Sequence, residues 1–145
     1  YLEAKFPDKA LFPADPAERA RAVWFDEFSD TIFVSAAGTI FFNRIVSPVF
    51  LKQEGDLAAA DKAEKEALPP ILDYLEKETA GKQYLVGGKL SLADISVASP
   101  FVNLEHAGVK LDAGKYPNLT KWLNGILGSD YYSGWVEQER KQFAG

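Results

Sequence analysis

One stretch in the second half of the chain, Leu90 to Ile95, contains two side chains that can each cap the start of a helix. In its order Leu-Ser-Leu-Ala-Asp-Ile, the Ser91 side chain can accept the backbone N–H of Asp94, and the Asp94 carboxylate can accept the backbone N–H of Ser91. The next residues, as far as Ala107, are mostly apolar, which is typical of a helix buried on most sides. Because a buried helix end cannot be hydrated, we expect Ser91 and Asp94 to be structural caps.

Helical patterns also account for most of the remaining chain. Asp15, Pro16 and Glu18 predict a capped helix start, and Gly38 and Pro48 are expected to bend and end that helix. Further helices are predicted over residues 57–79, with a kink at residues 69–70, and on either side of a turn near residue 128. Since strand signals are nearly absent, the sequence predicts an all-α bundle of five to six helices. Residues 15–145 would form this helical domain.

Composition and charge argue against several kinds of partner. The 145 residues include no cysteine and one histidine, so neither a cysteine nucleophile nor a transition-metal cluster is expected. The net charge of −5 argues against nucleic acid. No apolar run approaches the roughly 20 residues of a membrane span. We therefore expect no metal, nucleic-acid or membrane partner, and a composition suited to the cytoplasm.

Taken in order, these signals resemble the C-terminal helical domain of the glutathione transferases. The resemblance is carried by Tyr1-Leu2-Glu3-Ala4-Lys5-Phe6-Pro7, by Asp15-Pro16-Ala17-Glu18-Arg19-Ala20 with Trp24, by Tyr84-Leu85-Val86-Gly87-Gly88, by Leu90-Ser91-Leu92-Ala93-Asp94-Ile95, and by Tyr116-Pro117-Asn118-Leu119 with Trp122. Each motif alone is weak, but the ordered set spans nearly the whole chain, and its Leu90–Ile95 element makes it specific.

The resemblance implies a division of labour between two domains. A thioredoxin-like N-terminal domain normally binds glutathione and holds the Ser, Tyr or Cys that activates its thiol, so no catalytic residue is expected in this chain. Residues 1–14 would be the tail of that upstream domain and the linker, and the opening Tyr1 suggests that sequence precedes it. The chain would be the substrate-binding half of a bacterial-type, cytoplasmic, homodimeric detoxification enzyme. That enzyme would join glutathione, its co-substrate, to hydrophobic electrophiles.

The resemblance also implies which residues bind the two substrates. In the family, the first long helix lines the electrophile pocket, which is apolar and therefore tolerant of many substrates. The candidates by position are Phe33, Val34, Ala37 and Phe41. Ser29 and Asp30 occupy the region from which some members reach the amino group of glutathione, where a carboxylate would pair with an ammonium group. The structural alternative for the four electrophile candidates is plain core packing. For Ser29 and Asp30 the alternative is a position on a solvated helix face.

Other polar and aromatic residues have structural interpretations. His106 could be a general base, but its position at a helix C-terminus favours a role in satisfying carbonyl groups. Trp122 and Trp135 are predicted to lie in the core. The glutamates Glu64, Glu66, Glu76 and Glu78 are expected on a solvated helix face.

Two other functions suit the same pattern. Domains of this fold also act as non-catalytic protein–protein assembly modules, and some members are glutathione-dependent reductases or isomerases. A thioredoxin-like segment upstream of Tyr1, with a Ser, Tyr or Cys near its first strand, would favour an enzyme over an assembly module.

Overall fold

The computed structural model describes residues 1–143, and every regular secondary-structure element in that range is helical. The α-helical segments are α1 Leu2–Lys5, α2 Pro16–Phe28, α3 Val34–Phe41, α4 Leu57–Lys62, α5 Leu68–Thr79, α6 Leu92–His106, α7 Pro117–Leu127 and α8 Ser133–Phe143. The predicted all-α bundle is confirmed. The last two residues of the predicted 15–145 domain lie outside the described residues.

Segments α2 and α3 belong to one long helix, Pro16–Leu51, which contains two wide π-turns, Ser29–Phe33 and Phe42–Leu51. It begins as predicted, because the Asp15 carboxylate accepts the backbone N–H groups of Ala17 and Glu18 at 3.0 and 2.9 Å. The helix continues through Gly38 and past Pro48, and it ends where Lys52 adopts a left-handed φ of 54°. We call Pro16–Leu51 the long helix.

Segments α4 and α5 are likewise continuous, and a π-turn at Ala63–Ala67 joins them. The turn comes just before Pro69 and Pro70, the residues at which the sequence predicts a kink. Because proline has no N–H group, regular α-helical hydrogen bonding cannot pass through this pair. The wide turn is the local adjustment that keeps the helix continuous.

The core lies where the long helix packs against α6 and where α5 packs against α7. Its largest fully buried side chains include Phe25, Phe33, Ile40, Leu68, Leu75, Val97 and Leu119. Trp122 is buried as predicted, whereas the prediction of a core position for Trp135 is wrong, since its side chain is 68% exposed. Val136 of α8 is buried, whereas its neighbour Trp135 points to the surface.

The predicted caps of α6 lie at the centre of this core. Ser91 and Asp94 are fully buried and form the reciprocal capping box. The Asp94 carboxylate accepts the backbone N–H of Ser91 at 2.9 Å, that of Leu85 at 2.8 Å and the Trp122 indole N–H at 3.3 Å. Burial raises the pKa of Asp94, and these donors oppose that effect by favouring the ionised form. One side chain thus connects the loop before α6, the start of α6 and α7.

The start of α7 is capped by a side chain from another helix. Glu76 of α5 accepts the backbone N–H of Asn118 at 3.1 Å, its side-chain amide at 2.6 Å and the backbone N–H of Leu119 at 2.9 Å. Although partial burial works against ionisation, these donors lower the pKa of Glu76. Glu76 is therefore a capping residue, and the prediction that it is merely solvated is wrong.

By length and composition alone, the long helix is also sufficient to cross a membrane. Of its most apolar 18-residue window, 28% is buried within the described chain. The core helix of a soluble protein meets the same criterion, so the absence of a membrane partner stays a prediction.

Candidate functional site

The middle of the long helix carries the residues that the sequence singled out for electrophile binding. Phe33 is fully buried, and its ring packs edge-on against Phe101 of α6 with ring centroids 4.9 Å apart. Ala37, one turn later, is buried on the same side. Val34 is 41% exposed, and Phe41, two turns later, is partly exposed. The four candidates therefore do not share one environment: Phe33 and Ala37 fill the core, Phe41 packs against the core from a partly exposed position, and Val34 reaches the surface.

Two further residues extend the outward face. Gly38 and Phe42 follow Val34 at intervals of four residues, and Phe42 is 47% exposed. A Cβ atom at position 38 would lie 3.4 Å from Val34 Cγ1, so a larger residue there would contact the Val34 side chain. We call Val34, Gly38, Phe41 and Phe42 the outer wall. The spacing of four residues was present in the sequence, but it did not indicate which of the two apolar faces would stay open.

The outer wall comes directly after the π-turn Ser29–Phe33. A π-turn adds one residue to a helical turn, and such turns occur frequently at functional sites. The outer wall offers apolar and aromatic surface with little directional demand, which suits the binding of hydrophobic groups of varied shape.

Ser29 and Asp30 point in different directions. Ser29 is 1% exposed, and its hydroxyl donates a hydrogen bond of 2.7 Å to the backbone carbonyl of Ser96 in α6. The Ser96 hydroxyl in turn donates to the carboxylate of Asp26. Ser29 and Asp26 thus hold α6 against the long helix, whereas Asp30 is exposed.

A second surface feature lies between α2 and α5. Arg21 forms an ion pair of 3.0 Å with Glu78 and donates a hydrogen bond of 2.9 Å to the Tyr74 hydroxyl. Partial burial opposes ionisation of Glu78, but Arg21 outweighs it and lowers the pKa of that carboxyl group. The guanidinium also lies 4.4 Å from the ring of Trp24, which stacks on Phe28 at 5.3 Å. Trp24 is 41% exposed, so the result is an ordered aromatic surface.

The remaining candidate, His106, occupies the last turn of α6 as predicted. Its Nε2 atom lies 3.6 Å from the Glu139 carboxylate of α8. The chain leaves the helix after Ala107 through Gly108, whose φ of 80° is favourable for glycine. His106 thus links the end of α6 to α8. Within residues 1–143, no group of three or more His, Asp or Glu side chains is placed to hold a metal ion.

Comparison with models of known protein families shows which family has this fold. The family model described as "Glutathione S-transferase, C-terminal domain" matches residues 39–130, which is more than half of the chain. The chain belongs to the glutathione S-transferase family. Its matched region runs from the last part of α3, through the capped α6, to just beyond the end of α7.

Individual members of the glutathione S-transferase family show the same relationship. Glutathione S-transferase U7 of Arabidopsis thaliana is 31% identical over 136 residues, which cover 90% of this chain and 54% of that protein. A glutathione S-transferase from Rhodospirillum rubrum F11 has a TM-score of 0.81 at 19% identity, covering 90% of this chain and 58% of the other. Glutathione S-transferase-I, solved with lactoylglutathione, has a TM-score of 0.75 at 25% identity, covering 95% and 63%. This chain therefore spans little more than half the length of these relatives.

Proposed function

We propose that this chain is the helical half of a glutathione transferase whose outer wall receives a hydrophobic electrophile. The observation that carries the proposal is the match to the glutathione S-transferase C-terminal domain. The exposed apolar residues that come after the π-turn of the long helix support it. Family relatives are nearly twice as long, and we place the group that activates the glutathione thiol in the part of the enzyme outside this chain.

The reaction we propose is nucleophilic substitution or addition by the glutathione thiolate. With an aryl chloride, a carbon–sulfur bond forms, the carbon–chlorine bond breaks and chloride leaves. This chain contributes by holding the electrophile within reach of the thiolate, which converts a collision between two solutes into a reaction within one complex. The outer wall binds by apolar contact, so we expect a broad range of acceptors.

We place Asp30 at the glutathione amino group. Asp30 is exposed within the π-turn, and an exposed carboxylate can pair with an ammonium group. Ser29, whose hydroxyl is already bonded to Ser96, would act by holding the helix in place. We further propose that the enzyme is a cytoplasmic homodimer, with the aromatic surface around Trp24 as part of its subunit contact.

The first test is steady-state kinetics of the full-length protein with glutathione and 1-chloro-2,4-dinitrobenzene. In the variant Val34→Asp, a charge replaces apolar contact, so we expect the KM for the electrophile to rise about tenfold or more. The KM for glutathione should not change. Val23→Asp is the matched control, since Val23 is an equally exposed valine of the same helix (42%, against 41% for Val34).

Two outcomes would contradict the proposal. Conjugating activity that is absent with several electrophiles would favour a non-catalytic assembly module. Equal effects of Val34→Asp and Val23→Asp on the KM for the electrophile would show that the outer wall is not part of the binding site.

A separate pair of variants, Asp30→Asn and its control Glu27→Gln, tests glutathione binding. Asp30→Asn should raise the KM for glutathione roughly fivefold, which is the effect expected from loss of an exposed ion pair. Glu27→Gln should leave that KM unchanged.

A further inference from the structure

A small groove lies between α6 and α8. Its volume is about 280 Å³, and we call it the α6–α8 groove. Its lining includes Ser99, Val102 and Asn103 from α6, and Tyr132, Trp135 and Glu139 from α8 and the residue just before it. No residue of the long helix lines this groove, so it is separate from the outer wall. Binding there would therefore be independent of the proposed transferase function.

Two contacts with α6 fix the positions of the groove residues near α8. At one end, the Tyr132 hydroxyl lies 2.9 Å from the Ser99 hydroxyl. At the other end, the Glu139 carboxylate lies 3.6 Å from Nε2 of His106. Trp135 comes between these two contacts, at intervals of three and four residues that place all three side chains on the same helix face. The groove therefore has a phenol hydroxyl at one end, a carboxylate at the other and an indole between them.

The charge of the α6–α8 groove favours a cation. Within residues 1–143, its lining contains the Glu139 carboxylate and neither lysine nor arginine. His106, which contacts Glu139, is charged only when it is protonated. The next residue, Arg140, instead binds both carboxylate oxygens of Glu105, at 2.8 and 2.9 Å. The negative charge of Glu139 is therefore not cancelled by a permanent cation of the lining.

Trp135 adds a second group that attracts cations. Tryptophan side chains are highly buried on average, whereas that of Trp135 is 68% exposed beside the groove. Among side chains, the indole ring is the strongest partner for a cation placed over its face. An aromatic ring together with a carboxylate is suited to recognising an organic ammonium group, since the ring contacts the alkyl groups and the carboxylate pairs with the charge.

We propose that the α6–α8 groove binds a small organic cation that carries an ammonium group. The ammonium group lies between the Trp135 indole and the Glu139 carboxylate, and a hydroxyl group of the ligand lies toward Ser99 and Asn103. The ligand is a free molecule rather than the headgroup of a phospholipid. A headgroup phosphate would find no lysine or arginine in the described lining, and Glu139 would repel it.

The first test is isothermal titration calorimetry of the full-length protein with choline and with 3,3-dimethylbutan-1-ol, its uncharged carbon analogue. Choline should bind about tenfold more tightly or better, because only choline gains the cation–π contact and the charge pair. In Trp135→Leu, the choline affinity should fall about fivefold, the equivalent of roughly 1 kcal/mol. Tyr131→Leu is the matched control, since Tyr131 is a 73% exposed aromatic residue that does not line the groove. It should leave the choline affinity unchanged.

A second pair of variants tests the charge. In Glu139→Gln, the choline affinity should fall about fivefold, as expected from loss of an exposed charge pair. The affinity for the uncharged analogue should not change. Glu137→Gln is the matched control, because Glu137 is an exposed glutamate of the same helix that does not line the α6–α8 groove. It should leave both affinities unchanged.

A further variant and an NMR titration test the location of the site. Asn103 is exposed, so Asn103→Trp should fold, and its indole should fill the groove and abolish choline binding. In 1H–15N spectra, choline should shift the indole N–H signal that disappears in Trp135→Leu. The indole signals of Trp24 and Trp122 should not move. Vesicles of phosphatidylcholine should not sediment the protein.

Five results would overturn the proposal. The first two are no choline binding by the unaltered protein and equal affinities for choline and its uncharged analogue. The next two are unchanged choline binding in Asn103→Trp and loss of choline binding in the outer-wall variant Val34→Asp. The fifth is sedimentation of the protein with phosphatidylcholine vesicles, which would assign the groove to a lipid headgroup.

Discussion

At the scale of single residues, Asp94 has the largest structural role. It is fully buried and accepts hydrogen bonds from the Ser91 and Leu85 backbone and from the Trp122 indole. Removing a buried acceptor leaves its donors unpaired, and each such donor costs about 1–3 kcal/mol. The effect should therefore exceed that of an ordinary helix cap, which is roughly 1 kcal/mol.

We predict that Asp94→Ala lowers the free energy of unfolding by about 3 kcal/mol or more. The measurement is urea denaturation followed by circular dichroism. Asp30→Ala is the control, because Asp30 is exposed and its loss should change stability by less than about 0.5 kcal/mol. An unchanged denaturation midpoint for Asp94→Ala would show that the cap does not support the core.

At the scale of elements, α7 is held by a side chain that lies 42 residues earlier in the chain. Glu76 supplies the acceptor that Tyr116, at the cap position of α7, does not supply. This carboxylate also lies near the positive end of the α7 helix dipole. A side chain of α5 thus caps α7. The packing of these two helices therefore depends on the negative charge of Glu76.

We predict that Glu76→Gln destabilises the protein by about 1 kcal/mol at pH 7. The pKa of Glu76 is lowered by folding, so its contribution is complete above the ordinary glutamate pKa of about 4.3 and is lost as the pH falls below it. The difference in unfolding free energy between the wild type and Glu76→Gln should therefore shrink from about pH 6 to about pH 3. Glu66→Gln, at an exposed position of the same helical stretch, is the control and should change the unfolding free energy at pH 7 by less than about 0.5 kcal/mol.

A second element-scale prediction concerns the corner between the long helix and α4. A Cβ atom at Gly55 would lie 1.9 Å from the Asn43 carbonyl oxygen, so the two backbones touch there. We expect Gly55→Ala to destabilise the fold by about 2 kcal/mol, a typical cost of overpacking. At Gly125 in α7 a Cβ would meet nothing within 4 Å, so Gly125→Ala should stabilise by roughly 0.5–1 kcal/mol. Thermal melting of the two variants should shift in opposite directions.

At the scale of the whole molecule, the long helix is tied to its neighbours by charge as well as by apolar contact. Arg44 bonds to Asp61 at 2.8 Å, to Glu64 at 2.5 Å and to the backbone carbonyl of Ala107 at 3.3 Å. These contacts join the long helix to the α4–α5 helix and to the end of α6. Burying an arginine at the centre of a bilayer costs about 2.5–3.5 kcal/mol on insertion scales.

We therefore predict that the full-length protein stays in the supernatant when membranes are pelleted. The long helix would have to give up the Arg44 contacts in order to insert, which opposes a membrane-spanning state. The measurement is fractionation of cells followed by immunoblotting. Recovery in a pellet that resists alkaline carbonate but dissolves in detergent would contradict this prediction.

Local sequence signals predicted the helices well. The starts of the long helix at Asp15 and of α6 at Ser91 depend on side chains within four residues of the helix end. The all-α class comes from the same signals. Hydrogen bonds and apolar periodicity of this kind are complete within one or two turns, so the sequence alone determines them.

Which faces are covered was decided only by the tertiary structure. The long helix has apolar residues on two sides, and the packing of Phe33 against Phe101 is what buries one side and leaves Val34 open. The same kind of long-range contact recruits Glu76 as a cap and leaves Trp135 exposed. The surface groove lined by Leu68, Phe101, Leu123 and Val136 likewise arises from four separate helices. Such features depend on contacts between residues tens of positions apart, and helical periodicity carries no information about those partners.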